Sequence, residues 1–425
     1  MRIRTVCSLL VALVLLLSFA HSAAAQQPQG HQPRVTVPKS SLDQVDTTAT
    51  GPRAHTNILI VGSGPLRSTA QASQQAGGPP FAGYFYETPA SLACIYNLVH
   101  PAVPGCNPNV VDTNPYGGSR AIAVVDAYDD PNAVSDLNNF IAQFALAPAK
   151  FHVVYAAGTN PGLDPTGGWE LEESLDVQYA HAMAPDAELF LVEAASQSIP
   201  DLISAELVAS KLVAKAGGGE VSNSWGFSEF SNELTLDYAF IKPGVVFFAA
   251  SGDSPGTIWP SVSPNVVAVG GTSTNRDPNA GNFLYEGAWN IAGGGPSEVV
   301  PRPAYQNGIA SIAGPARVTP DISADANPNT GVWILDTNLY EDEPGGWFIV
   351  GGTSVSSPVM AGVVNAAGSF HRSSAKELSV IYSSGFVLGF NDVQADNCGP
   401  YGGYFTTRGY DFCTGVGSPH GYFSK

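Results

Sequence analysis

Ala121-Ile-Ala-Val-Val125 is an unbroken apolar run, and the stretch from Ser135 to Phe144 behind it sets Leu137, Phe140, Ile141 and Phe144 at helical spacing. A continuous apolar run of that length reads as a strand buried on both faces, as in a parallel sheet covered by helices. The same alternation repeats outward along the chain. Leu189-Phe-Leu-Val192, Val245-Val-Phe-Phe-Ala-Ala250 and Val266-Val-Ala-Val269 are further strands by this criterion. Between them Leu171, Leu175, Tyr179 and Met183 recur every four residues. Pro200-Asp201 opens another helix, with Leu202, Ala205, Val208 and Leu212 on one face and Gly217 at its end. Strands alternating with helices predict a doubly wound α/β fold, mostly parallel, in which ligands bind beyond the carboxyl ends of the strands.

The ends of the chain speak about its compartment. Arg2 and Arg4 precede an apolar run from Val6 to Ala20 that closes on Ser22-Ala-Ala-Ala25. This is the layout of a secretory signal peptide over residues 1–25, and the run is short for a membrane span. Four cysteines remain after it, Cys94, Cys106, Cys398 and Cys413. In an exported chain they predict disulfides rather than zinc, with three pairings open and the local one favoured. Net charge is −18 with 13 % charged residues, and the pI is about 4.6. So few basic residues argue against a nucleic-acid partner, and the balance suits an acidic medium. Residues 26–84 are rich in Gln, Pro, Ser, Thr and Gly and read as a polar, mobile arm. Residues 85–425 read as one domain.

Gly351-Gly-Thr-Ser354-Val-Ser-Ser-Pro358-Val-Met-Ala-Gly362 is the stretch with chemistry in it. Two glycines allow a substrate backbone to approach, and a helix starting at the serine offers unpaired N–H groups to a developing oxyanion. Pro358 is tolerated in the first turn. The plainer alternative is a glycine-rich turn with a serine cap. A nucleophilic serine needs a base, yet none of His31, His55, His100, His152, His181, His371 and His420 stands in a His-Gly-Thr setting. His181, among alanines, reads as a packing or surface residue.

Trp169-Glu-Leu-Glu172-Glu-Ser-Leu-Asp176 supplies another base. Glu172 and Asp176 are four apart and share a helix face. Two adjacent carboxyls do not both ionise, so one holds a proton that can be exchanged with a serine hydroxyl and a leaving amine. Taken alone, such a pair is more often a solvated acidic face.

Together these stretches resemble the serine-carboxyl peptidases, the sedolisin or kumamolisin-like family of subtilisin fold, over roughly residues 85–425. The resemblance implies Glu172 as general base and acid, Asp176 as its partner and Ser354 as nucleophile. It also implies that Asp253, in Ala249-Ala-Ser-Gly-Asp-Ser254, donates a proton to the oxyanion together with the Ser354 N–H. A carboxyl donates only when protonated, so an acidic working range follows. Asp253 alone would be read as an Asx-turn. Ser222-Asn-Ser-Trp-Gly226 resembles the strand lining the substrate cleft, and the Trp225 indole is expected to donate to Asp126. Further matching stretches run through Trp259–Pro264, Trp289–Gly295, Pro303–Gln306 and Arg317–Asp325.

The resemblance also implies one structural Ca2+ held by the Asp392 and Asp411 side chains and by the carbonyls of Val393, Thr407 and Gly409. These are the hard oxygen ligands such an ion requires. Thr407 stands where the family usually has glycine. Protein or peptide substrates, a monomer, secretion and no membrane association after signal cleavage are implied as well. The family's long amino-terminal prodomain has no counterpart of that size in residues 26–84, which are too few and too polar. Three readings follow: an acid-active endopeptidase, a non-catalytic secreted binding protein on the same fold, and, disfavoured by the histidines, a neutral subtilisin-type peptidase.

Overall fold

The computed structural model describes residues 34–42, 53–66, 77–100, 103–385, 389–423 and 425; the expected signal peptide, 1–25, lies outside them. The fold is the expected subtilisin-like α/β arrangement. Its main sheet has eight strands. In spatial order they run Phe283–Ala288, Val267–Arg276, Val245–Ala250, Gly219–Asn223, Ala121–Ala127, Glu188–Ala194 and Lys150–Tyr155, with Ile322–Asp325 paired to 267–276. Only Phe283–Ala288 is antiparallel to its neighbour.

Alternation along the strands sends side chains into two cores. Ile122 and Val124 join Leu189, Leu191, Val246 and Phe248 on one face, where helices Ala133–Phe144, Gly168–Met183 and Thr353–Ala367 pack. Ala121, Ala123 and Val125 join Phe190, Val192, Val245 and Phe247 on the other, under helix Ile199–Lys215. That last helix begins where its sequence says it should. Ser198 caps it by accepting from the Asp201 N–H, Pro200 lies in the first turn, and Asp201 meets the positive end of the dipole.

Helix 168–183 departs from its pattern in one respect. The four-residue spacing predicts a single apolar face, yet every residue of the helix is buried. It lies between the sheet, the 353–367 helix, the 133–144 helix and strand Val332–Tyr340. Some of its polar groups are met from those neighbours, while both oxygens of Glu172 and of Glu173 are not. Gln178 Nε2 donates to the Leu335 carbonyl at 2.6 Å, and the Leu335 N–H donates back at 3.0 Å. Tyr179 donates to the Trp333 carbonyl at 3.0 Å.

Of residues 26–84, read as a mobile arm, the described stretches 34–42 and 53–66 form strands instead. Leu59–Val61 is a strand paired with Glu343–Gly351 on one side and Val35–Thr36 on the other. His55–Thr56 pairs antiparallel with Trp225–Ser228. Asn57-Ile-Leu-Ile-Val61 is the reason: an apolar run set in polar surroundings, whose residues are 0–8 % exposed. Burying four aliphatic side chains contributes on the order of 1.5–3 kcal/mol each, enough to hold a short segment in place.

The disulfides are the local ones, Cys94–Cys106 and Cys398–Cys413, spanning 12 and 15 residues. In the chain-entropy account a loop of the longer size is worth about 3 kcal/mol.

Candidate active site

Three segments bring the expected catalytic residues to one place beyond the carboxyl ends of the central strands. The first is helix 168–183 with Glu172 and Asp176. The second is the loop after strand Val245–Ala250 with Asp253, and the third is the start of helix Thr353–Ala367 with Ser354. Glu172, Asp176 and Ser354 are all 0 % exposed.

Gly352 makes the junction between strand and helix possible. Its φ of +109° suits only glycine, and a Cβ there would lie 2.0 Å from the Asn57 carbonyl oxygen and 2.5 Å from Asp253 Oδ2. Those two oxygens therefore flank the same point. The Ser354 N–H, free at the helix start, donates to the Asn57 carbonyl at 3.1 Å. Asp253 Oδ1 accepts from the Thr353 N–H at 2.7 Å and Thr353 Oγ1 at 2.9 Å, while Oδ2 is enclosed and meets no donor. Burial pushes the Asp253 carboxyl up to about 7, against the pull of the two Thr353 contacts.

Glu172 is raised well above the ordinary carboxyl range, first by burial and then by Asp176 and Asp126; the nearby Ser354 side chain acts in the opposite sense. Asp176 is raised by burial and by Asp126, and is eased by Ser224, whose Oγ donates to its Oδ1 at 2.7 Å. Neither Glu172 oxygen holds a hydrogen bond. The Ser354 hydroxyl donates instead to the Ser224 carbonyl at 3.0 Å and accepts the Asn57 N–H at 3.2 Å. Chemistry at Ser354 thus requires its hydroxyl to turn from Ser224 toward Glu172.

The expected Trp225–Asp126 bond is not formed. The indole N–H donates to the Val125 carbonyl at 3.0 Å, and both Asp126 oxygens lack a partner. Trp225 packs in the core on the Val125 side of the sheet. Neighbouring residues of a strand point to opposite faces, so Asp126 looks toward helix 168–183 instead. There it acts as a third carboxyl beside the pair, its own pKa raised by burial. His181 is buried and donates Nε2–H to the Ala147 carbonyl at 2.8 Å, a packing role as read.

Two contributors escaped the sequence. Ser224 bridges Asp176 and the Ser354 carbonyl, at 2.7 and 3.3 Å. Asn57 bonds to Ser354 through its own N–H and carbonyl, from a segment read as an arm. Ser224 carries no signal beyond its place in Ser222–Gly226, whereas the run following Asn57 was visible.

The residues implied for calcium form a separate group in the carboxy-terminal loop. The Gly409 N–H donates to both Asp392 oxygens at 3.2 Å, and the Thr407 N–H donates to Asp411 Oδ2 at 2.9 Å. Asp411 Oδ1 accepts the N–H groups of Cys413 and Thr414 at 3.0 and 2.9 Å. Val393 is buried beside Asp392. The two carboxylates are oxygen donors of the type a hard cation takes, and in this structure their oxygens are engaged by backbone N–H groups.

No family model matches the chain. Kumamolisin of Bacillus sp. (strain MN-32) is 27 % identical over 342 residues, covering 72 % of this chain and 59 % of that protein. Sedolisin of Pseudomonas sp. (strain 101) is 26 % identical over 356 residues, covering 73 % and 58 %. Tripeptidyl-peptidase 1 of Dictyostelium discoideum is 30 % identical over 284 residues, covering 59 % and 42 %. The chain thus spans less than two thirds of the length of these relatives. Among solved structures, Pseudomonas sedolisin (serine-carboxyl proteinase), complexed with two molecules of pseudo-iodotyrostatin, overlays with a TM-score of 0.62 at 24 % identity. That match covers 79 % of this chain and 95 % of the other, a likeness of fold.

Proposed function

We propose that this chain, which is similar to kumamolisin and sedolisin, is a serine-carboxyl peptidase of the sedolisin type, an exported serine endopeptidase acting on proteins and peptides in acid. One observation carries the reading. The Ser354 N–H holds the Asn57 carbonyl oxygen, the enclosed, unbonded Asp253 Oδ2 flanks Gly352 on the same side as that oxygen, and the buried Glu172 and Asp176 lie on the neighbouring helix.

In this mechanism Glu172 takes the proton of Ser354 Oγ as that oxygen adds to the substrate carbonyl carbon. The negative charge developing on the carbonyl oxygen is met by the Ser354 N–H and by the O–H of protonated Asp253. Glu172 then returns its proton to the leaving amine, and water hydrolyses the acyl-enzyme with Glu172 again as base. Asp176 shares the proton of the pair and is kept in place by Ser224.

Relatives include both general proteinases and tripeptidyl-peptidases. The endopeptidase reading is favoured by an extended stretch, residues 53–57, that runs beside the 225–228 strand and residues 197–198. No helix among the described residues is long and apolar enough to cross a membrane, and export is proposed from the signal layout of residues 1–25.

The test is hydrolysis of an unfolded protein between about pH 3 and 8, the range of carboxyl and histidine titration. The expected rate falls as pH rises through about 7, where Asp253 loses its proton. Asp253→Asn keeps an N–H donor at every pH. It should therefore flatten that fall and cost less than the roughly 10²–10³-fold penalty of losing a donor outright. A rate that peaks near neutrality and ignores Asp253 would sink the assignment.

Calcium is proposed at Asp392, Val393, Thr407, Gly409 and Asp411 as a structural ion that clamps the loop closed by Cys398–Cys413 and takes no part at Ser354. Adding Ca2+ to chelator-treated protein should raise Tm by several degrees, as saturation at about 100 Kd adds about 2.7 kcal/mol. Asp411→Asn should abolish the increment; an unchanged Tm with Ca2+ removes the ion from the proposal.

A further inference from the structure

We infer that Thr353 decides which oxygen of Asp253 carries the proton, holding Oδ1 as an acceptor and leaving Oδ2 to donate to a reacting carbonyl. The inference deepens the proposed mechanism and rests on the roles of Ser354 and Asp253 in it.

Thr353 is the first residue of helix 353–367, so its N–H has no partner within the helix. It donates instead to Asp253 Oδ1 at 2.7 Å, across 100 residues of chain. The Thr353 hydroxyl reaches the same oxygen at 2.9 Å. That hydroxyl can rotate, and a second contact fixes its direction. The Gly252 N–H lies 3.1 Å from Thr353 Oγ1 and can only donate. Oγ1 therefore accepts from Gly252 and sends its own hydrogen to Asp253. The Gly252 end is itself held, since its carbonyl accepts the Gly293 N–H at 2.7 Å. Thr353 is 0 % exposed, so water does not compete for these contacts.

Asp253 Oδ1 thus receives two hydrogens that are both committed to it. A carboxyl proton placed on Oδ1 would displace one of them and leave a buried donor unpaired, at the full cost of its desolvation. Oδ2 meets no donor. When Asp253 is protonated, the proton therefore goes to Oδ2, the oxygen that lies with the Asn57 carbonyl oxygen around Gly352. Without the Thr353 hydroxyl the two oxygens would differ by a single N–H contact. The carboxyl would then populate both proton positions, and the rate follows the fraction with the proton on Oδ2. Thr353 acts through Asp253 and is a positioning residue.

Thr353→Val keeps the branched shape and the backbone N–H and removes only the hydroxyl. It should lower kcat on an unfolded protein about ten- to a hundredfold with little change in KM, less than the loss of an oxyanion donor outright. The basic limb of the pH profile should also move up by roughly one pH unit, because a hydrogen bond to the ionised carboxyl is gone. Thr353→Ser should restore both. Loss of packing alone would lower Tm without moving the limb. Glu172, whose carboxyl is pushed up in part by Asp253, also titrates in this site. The limb is therefore assigned by repeating Thr353→Val in the Asp253→Asn chain, where no shift should remain. A second measurement needs no catalysis. In the Ser354→Ala chain, isotope-labelled at the aspartate carboxyl carbons and followed by NMR, the resonance that disappears in Asp253→Asn identifies this group. It should titrate roughly one pH unit higher when Thr353→Val is added. That result in a chain inactive at every pH would keep the link between Thr353 and Asp253 and remove the catalytic reading. A Thr353→Val enzyme with the parental limb, or an unmoved aspartate resonance, overturns the inference.

Discussion

Glu172→Gln is expected to lower kcat on an unfolded protein substrate by about 10²–10⁴-fold, the usual worth of a positioned general base, with little change in KM. The amide keeps the size and the polar atoms of the carboxyl and loses only the ability to carry a proton. Stability should move the other way. Glu172 is fully buried with neither oxygen hydrogen-bonded, and its pKa is raised mainly by burial. A carboxyl with a raised folded pKa must take up a proton to fold once the pH exceeds the unfolded value of about 4.3. Gln carries no such requirement. The variant should therefore melt at the same temperature as the parent near pH 4 and at a higher one near pH 7. Activity and thermal melts at both pH values decide it; an active variant, or one destabilised at pH 7, refutes the role.

The second large effect concerns the whole molecule. Glu173, Glu206 and Glu220 are 0–1 % exposed, and burial raises all three well above the ordinary range. Glu170 and Glu193, in the same region as the catalytic pair, are raised to about 8 and about 9 by burial first. The folded state thus binds more protons than the unfolded one between roughly pH 4 and the raised values, and the slope of stability with pH is negative there. The contribution is complete below the unfolded pKa of about 4.3 and is lost as pH rises through the folded ones. The net charge of −18 at pH 7 adds repulsion in the same direction. Calorimetry of Ser354→Ala, chosen to prevent self-digestion, should show Tm lower at pH 7.5 than at pH 4 by on the order of 10 °C. A Tm that rises toward neutrality would contradict the burial of these carboxyls.

Sequence patterns were most readable where burial is two-sided. Ala121–Val125, Leu189–Val192 and Val245–Ala250 need apolar residues on both faces, and all three are central strands. Lys150–Tyr155 was invisible because it is the edge strand, exposed at Lys150, His152 and Tyr155. Leu59–Val61 was missed for a different reason: it is short, and the composition around it outweighed it. At the site, Glu172, Asp176, Asp253 and Ser354 could be named from the motifs that carry the resemblance, and the structure brings Glu172, Asp176 and Ser354 together in its interior. Ser224 acts through contacts made across 48 and 130 residues, and a serine in a strand announces nothing of that. The Trp225–Asp126 error arose from treating two segments as facing each other without asking which side of the sheet each side chain leaves by.

Helix 168–183 has no outward side, and that limits how a protein of this plan can diversify. Any substitution along it meets packed neighbours, so natural drift at Leu171, Leu175 or Gln178 is filtered by folding before it can be tested for catalysis. Shifts in working pH among descendants should accumulate at the rim, on the loop that carries Asp253, where residues 254 and 255 are exposed and change is cheap.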